Sequence, residues 1–152
     1  MNNTIVTLKK GEGRNLKSGG MWIYDNEIDT ITGRFTNGDI VSVHDFDGYP
    51  MGKGFINQNS KIRVRMMTRN ANQEIDSEFI KMRVKNAWEY RKAVMSSPED
   101  LRACRIIFGE ADFLPGLVVD RYDSVLVVEC LAFGMDRLKG IVIDILTEVL
   151  NE

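Results

Sequence analysis

The sequence predicts an α+β chain of two small domains: a barrel or curled sheet over residues 1–70, then a small α/β domain with mainly antiparallel strands over residues 71–152. Short alternating runs punctuated by glycine fill the first half, the pattern of half-buried strands joined by turns. The second half carries capped helices interleaved with apolar, strand-like runs. Between them the polar stretch Thr68-Arg69-Asn70-Ala71-Asn72-Gln73-Glu74 reads as a linker. At 152 residues, 43% hydrophobic and 28% charged, the chain suits one ordinary domain or two with modest cores.

In the first half, Thr4-Ile5-Val6-Thr7-Leu8 alternates as a strand, and Lys10 to Ser18 fits a short helix. Gly19-Gly20 gives a bend before the aromatic segment Met21-Trp22-Ile23-Tyr24. Asp39 to Phe46 is β-rich, Asp47-Gly48 predicts a tight hairpin, and Ile62 to Met66 alternates again. The second half opens with Asp76 as an N-cap, Glu78 in the first turn, and Ile75 placed to staple against Ile80. Ile80, Val84, Ala87, Trp88 and Val94 then fall near one helix face. Ser97 caps a second, short helix, with Pro98 at its first position and Asp100 where a capping box wants an acid. Strands are expected at Cys104 to Phe108, Leu117 to Tyr122 and Val125 to Cys130.

The last element is the clearest helix. Leu138, Ile141, Val142, Ile145, Leu146 and Val149 form an apolar stripe opposite Asp136, Lys139, Asp144 and Glu148. The preceding strands are its expected partner surface. A stripe left partly bare would let two copies meet through Leu138, Ile145 and Val149 as a homodimer.

Around the turn from Arg105 to Tyr122 stand three carboxylates, Glu110, Asp112 and Asp120. Pro115 presets φ and Gly116 takes the left-handed position of a type II turn. Carboxylates in such a place either do acid-base work, as in a small hydrolase or lyase, or hydrogen-bond the turn's amides. Turn chemistry favours the second, with Gly109, Glu110, Asp112, Pro115, Gly116 and Asp120 as a structural motif.

Charge divides the chain unevenly. Residues 1–70 carry ten Lys/Arg against seven Asp/Glu, net +3, and residues 71–152 carry ten against fifteen, net −5. A basic first half points to a polyanion, because cations near phosphates gain affinity by releasing counterions. Lys10, Arg14 and Lys17 share a face of the expected first helix, with Lys9 just before it. Lys61, Arg63 and Arg65 alternate with Ile62, Val64 and Met66, and Arg69 extends the basic side. Each set suits phosphate contact or an ordinary solvated face. Trp22 and Tyr24 suit stacking on an unpaired base, or Trp22 anchors a core beside the Gly19-Gly20 bend.

Cys104 and Cys130 stand in no CxxC or Cys/His cluster, so neither zinc nor a disulfide framework is indicated, and both read as small buried hydrophobes. His44, the only histidine, reads as part of a strand surface. No apolar run approaches the ~20 residues that span a bilayer, and Met1-Asn2-Asn3-Thr4 lacks the features of a signal peptide. A cytosolic setting away from membranes is expected.

Three segments carry a family resemblance: LKKGEGRNLKSGGMWIYDNEI from Leu8 to Ile28, GKGFINQNSKIRVRMM from Gly52 to Met67, and FGEADFLPGLVVDRY from Phe108 to Tyr122. Together they resemble the amino-terminal part of the bacterial SAM-dependent methyltransferases of large-subunit ribosomal RNA, typified by cytosine-C5 enzymes. The resemblance implies a PUA domain, then a linking domain of strand-strand-helix-strand-strand type, then a Rossmann-like catalytic domain. It implies ribosomal RNA as partner and SAM as cofactor of the parent enzyme. In PUA domains the first helix and its flanking loop commonly meet RNA, which adds to the reading of Lys9, Lys10, Arg14 and Lys17.

This sequence shows neither the glycine-rich strand-to-helix loop of a SAM site nor a cysteine in the Pro-Cys or Thr-Cys context of a C5 nucleophile. The expectation is therefore an RNA-binding, non-catalytic portion of a longer enzyme whose methyltransferase domain is missing, with no cofactor or catalytic residue of its own. An independent PUA-type adaptor is the alternative. Phe113 and Asp123 stand where the family pattern usually has Gly, so the local backbone is expected to differ there.

Overall fold

The computed structural model describes residues 4–151; the Met1–Asn3 start and Glu152 lie outside them. The chain divides into two compact units, Met1–Glu74 and Ile75–Glu152, the division falling four residues after the expected boundary. Residues 68–74 belong with the first unit. Lys53 Nζ donates to the Gln73 carbonyl at 2.9 Å, and the Asn70 side chain accepts from the Asn72 amide at 3.0 Å, so the stretch is tied down rather than loose.

The first unit comprises β1 (Ile5–Leu8), α1 (Arg14–Lys17), β2 (Trp22–Tyr24), a 3-10 turn at Asp25–Glu27, β3 (Ile28–Thr32), β4 (Ile40–His44), β5 (Pro50–Ile56) and β6 (Ile62–Thr68). The strands form one curled sheet in the order β2-β6-β5-β4-β1-β3, parallel at β1–β4 and antiparallel elsewhere. Period-two alternation turns Val6, Leu8, Val41, Val43, Ile56, Val64 and Met66 inward, where Leu16 of α1 and Ile23 of β2 join them.

Local chemistry revises three expectations here. The helix expected from Lys10 shrinks to Arg14–Lys17, because Gly11 and Gly13 hold φ of 81° and 94°, conformations that no right-handed helix contains. Lys10 thus lies in a turn, off the helix it was expected to share with Arg14 and Lys17. The Asp47-Gly48 connection is a five-residue loop rather than a two-residue turn: His44 pairs with Pro50, and Asp45 Oδ1 accepts from the Asp47 and Tyr49 amides at 3.0 and 2.9 Å. Strand β3, unassigned from sequence, pairs with β1 at the sheet edge. Its two apolar residues, Ile28 and Ile31, are three apart and miss the strand period.

The second unit runs α2 (Ser77–Val94), α3 (Pro98–Arg102), β7 (Ala103–Phe108), a 3-10 turn at Gly109–Asp112, β8 (Leu117–Tyr122), β9 (Val125–Cys130), α4 (Phe133–Arg137) and α5 (Lys139–Leu150). Where the resemblance implies strand-strand-helix-strand-strand, the described residues run helix-helix, three strands, helix-helix. The strands form an antiparallel sheet in the order β7-β8-β9. Asp76 caps α2 by accepting from the Phe79 amide at 2.9 Å, and Ser97 caps α3 by accepting from Asp100.

Phe79, Ile80, Val84, Ala87 and Trp88 of α2 are buried, but Val94, at the end of the expected face, is 54% exposed. Of the terminal stripe, Val142, Ile145, Leu146 and Val149 are buried, each burial worth about 1.5–3 kcal/mol, while Ile141 is exposed. Their partner is principally α2 rather than the strands, with Lys81 and Glu148 paired across the two helices at 2.6 Å. Ile145 and Val149, on which a homodimer was expected to rest, are covered within the unit. Cys104 and Cys130 are free and half-buried, not the core hydrophobes expected.

The Gly52-Lys53-Gly54 segment has a steric cause. A Cβ on Gly52 would lie 2.1 Å from the Thr68 carbonyl oxygen, and one on Gly54 would lie 2.3 Å from that of Arg65, so β5 and β6 pair at this distance only without side chains there. Gly54→Ala is expected to destabilise the chain by about 1–3 kcal/mol, read as a lower urea midpoint with little change in slope.

Candidate nucleic-acid interface

Strand β2 is three residues long and lies at the edge of the first unit's sheet, paired only with β6. Its middle residue, Ile23, is 1% exposed and faces Val64 across the pair. Trp22 and Tyr24 therefore project from the opposite side, their rings 6.5 Å apart in an edge-to-face arrangement. Trp22 is half-buried and not a core anchor, because Ile23 occupies that place.

The cations of β6 and its flanks meet β2 at successive points. Arg69 donates to the Gly20 carbonyl at 3.1 Å. Arg65 is the register partner of Trp22, with its guanidinium 5.1 Å from the ring centroid, a cation–π contact. The Lys61 carbonyl accepts from the Asp25 amide at 3.0 Å. The row is not the uninterrupted sheet face expected. Lys61 precedes the strand, Arg63 is drawn to Asp25 at 3.7 Å and to the Ser60 carbonyl, and Met67 is buried at a register shift between Met66 and Thr68. That shift removes Met67 from the outward row.

Helix α1 stands beside β2, with Asn15 Nδ2 donating to the Trp22 carbonyl at 3.4 Å. Arg14 and Lys17 are exposed on this helix, and Lys9 and Lys10 are exposed in the loop before it. The structure thus brings Arg14, Lys17, Trp22, Tyr24, Arg65 and Arg69 onto α1 and the β2–β6 pair. Asn15 and the Gly20 carbonyl were not singled out from sequence. Nothing local marks a residue whose partner is fixed only by strand pairing.

In the second unit, Leu117 donates its amide to the Leu114 carbonyl at 3.1 Å around Pro115 and Gly116, whose φ is 75°. Glu110 Oε1 accepts from the Gly116 amide at 2.9 Å. Asp112 accepts from the Phe108 amide at 2.7 Å and holds Arg91 of α2 at 2.7 Å in a pair only 11% and 9% exposed. Arg83, two helical turns earlier, donates to the Phe113 carbonyl and lies 4.3 and 5.5 Å from the Phe79 and Phe113 ring centroids. Burial lowers its pKa. Asp120 sits elsewhere, on the exposed sheet face, in a two-point pair with Arg105. The 3-10 turn at Gly109–Asp112 lengthens the connection beyond a simple hairpin. Arg83 and Arg91 went unread in the sequence because their partners lie 21 to 30 residues away.

Phe113 and Asp123 both hold φ of 59°, the left-handed region that favours glycine. The backbone at these two positions has thus not moved into a conformation ordinary for side chains, against expectation. Among the described residues no group of three His, Cys, Asp or Glu is placed to hold a metal ion, and no helix is long and apolar enough to cross a membrane.

The family model described as a PUA-like domain matches residues 6–69, nearly the whole of the first unit. Nearly the whole chain is similar to part of the bacterial proteins called ribosomal RNA large subunit methyltransferase I. It is 32% identical to that of Pseudoalteromonas translucida over 96% of this chain, and 32% identical to that of Alteromonas mediterranea over 97%. The chain spans 37% of the length of each of these relatives. Among solved structures the fold is shared with a protein described as a candidate SAM-dependent methyltransferase from Streptococcus mutans, at a TM-score of 0.81 and 11% identity over 97% of this chain. It is shared too with a candidate methyltransferase solved with SAH, at 0.82 and 12% over 99%; the chain covers 38% of each.

The carboxylates of the second unit differ in what removing them does. Asp112→Ala leaves the mostly buried Arg91 guanidinium with only the Arg105 carbonyl as acceptor and takes away the acceptor of the Phe108 amide, and is expected to cost about 3 kcal/mol in chemical denaturation. Asp120 behaves otherwise. Its carboxyl lies below the usual 3.8 because Arg105 donates to it. A carboxyl lowered in the folded state stabilises the fold above its unfolded pKa, and that contribution is lost as pH falls through the lowered value. Asp120→Asn is therefore expected to be less stable than the parent at neutral pH, the two urea midpoints converging in strong acid.

Proposed function

We propose that this chain is the RNA-binding, non-catalytic part of a longer ribosomal RNA methyltransferase. The observation that carries the reading is the match of nearly the whole chain to about a third of proteins called rRNA large subunit methyltransferases, in a region whose first unit is PUA-like. Phosphate contact is assigned to Lys9, Lys10, Arg14, Lys17, Lys61, Arg63, Arg65 and Arg69, with Trp22 and Tyr24 as the aromatic part of the surface. The parent enzyme would take SAM as methyl donor and, following the cytosine-C5 type that the sequence resembles, methylate a cytosine of large-subunit rRNA in the cytosol.

No described element fits SAM itself. A Rossmann-like cofactor site needs parallel strands joined by a glycine-rich turn and a crossover helix. The strands of the second unit pair antiparallel, and the parallel pair β1–β4 is joined through α1, β2, a 3-10 turn and β3 rather than by one crossover helix. The cofactor is therefore assigned to the remainder of the parent enzyme, and the residues here position RNA. The hydrolase alternative needs carboxylates that converge with a raised pKa. Glu110 and Asp112 instead accept backbone amides, and the Asp120 carboxyl is lowered.

Titration with rRNA fragments at several salt concentrations tests the proposal. Binding should weaken with a log-log slope of roughly −0.7 per phosphate contact on single strands. Replacing Lys10, Arg14 and Lys17 by Gln should flatten the slope by roughly that amount for each phosphate no longer neutralised. Undetectable or salt-independent binding would overturn it.

A further inference from the structure

Trp22 is half-buried beside the core of the first unit rather than within it. The core beneath β2 is filled by Ile23, Val64 and Met66, all nearly inaccessible. The indole instead lies on the outward side of an edge strand, with Arg65 over its ring and Tyr24 at its edge. The main chain holds it in register, through the Trp22–Arg65 pairing on β6 and the Asn15 bond to its carbonyl. Cations stand at two points beside this strand, Arg69 at Gly20 and Arg65 at Trp22, and exposed Lys61 joins it through its main chain at Asp25.

An aromatic ring flanked along a strand by spaced cations matches one form of nucleic acid better than the other. In a duplex each base is stacked on both sides, and a side chain at a sheet edge reaches only phosphates and sugars. An unpaired base exposes its faces, and aromatic rings and arginine planes both stack on it. Resting on the RNA-binding reading above, we infer that the Trp22–Arg65–Tyr24 cluster is a stacking site for an unpaired nucleotide, so that this unit selects a single-stranded or bulged RNA segment over a helix. Trp22 supplies the ring face, Arg65 and Tyr24 bracket the base, and Arg69 and Lys61 meet phosphates on either side. It is a specificity site for RNA form rather than for base identity, since every base has a π-face.

The chain has two tryptophans, and the other, Trp88, is buried in α2, so a Trp88→Phe variant makes Trp22 the sole indole reporter. Its fluorescence is followed on titration with a short single-stranded oligoribonucleotide and, separately, with a blunt RNA duplex carrying the same number of phosphates. Quenching by the single strand, with affinity at least about fivefold above the duplex, supports the stacking site. Trp22→Ala should lower single-strand affinity by roughly tenfold and duplex affinity by much less, and Trp22→Phe should restore most of the loss. Circular dichroism checks that each variant is folded. Should Trp22→Ala unfold, the quenching comparison and Trp22→Phe carry the test. Equal affinity for the two RNAs, or no quenching by the single strand, overturns the stacking site and leaves RNA binding standing. Failure to bind either RNA overturns both.

Discussion

The first unit depends on how closely β6 can be approached from both edges. On one side, β5 comes near enough that two of its residues can carry no side chain, because the carbonyl oxygens of Thr68 and Arg65 fill the space. On the other, β2 is short and makes its only pairing with β6. Fixing β5 against β6 sets the direction of the Arg65 side chain, which in turn lies on Trp22. The glycines and the aromatic surface, 30 residues apart in sequence, are consequences of one strand's environment. Loosening the β5 contact would alter the outer face as surely as changing a residue on it.

In the second unit the corresponding anchor is a pair of arginines on α2. Arg91 and Arg83 both reach the carboxyl end of the 3-10 turn, one through Asp112 and one through the Phe113 carbonyl. That loop carries two carboxylates, Glu110 and Asp112, and a positive-φ phenylalanine. Desolvating an ion pair is costly, so the Arg91–Asp112 pair does more to choose the loop's conformation than to stabilise the unit in sum. The carboxylates look like catalytic residues in sequence because acids near a turn serve both roles with the same letters.

Much of this fold was legible because its signals are local. Asp76 and Ser97 mark helix starts by accepting from amides three positions on, Pro98 suits the first helical position, and strands β1, β4, β6, β8 and β9 alternate or run apolar within a few residues. The errors arose where local signals compete or are missing. A periodic row of Lys10, Arg14 and Lys17 lost to the left-handed glycines between them. The terminal stripe was correctly seen as apolar, but a stripe does not name its partner, and α2 rather than the sheet covers it. At the candidate interface, residue types were readable and neighbours were not. Trp22 was weighed as core because tryptophan usually is, and only its pairing opposite Arg65, with Ile23 turned inward, places it outside.

Phe113 and Asp123 show that a backbone shape can outlast the letter that usually signals it. Both adopt φ of 59°, at a cost of about 1 kcal/mol or more for a side chain other than glycine, Asp being the more tolerant. At Phe113 the ring gains a stacked guanidinium from Arg83, which offsets some of that cost. A pattern written in glycines would miss these two positions, although their dihedrals are ones glycine favours. Divergent members of such a group are better sought by dihedral angles and by the arginine that compensates than by spelling.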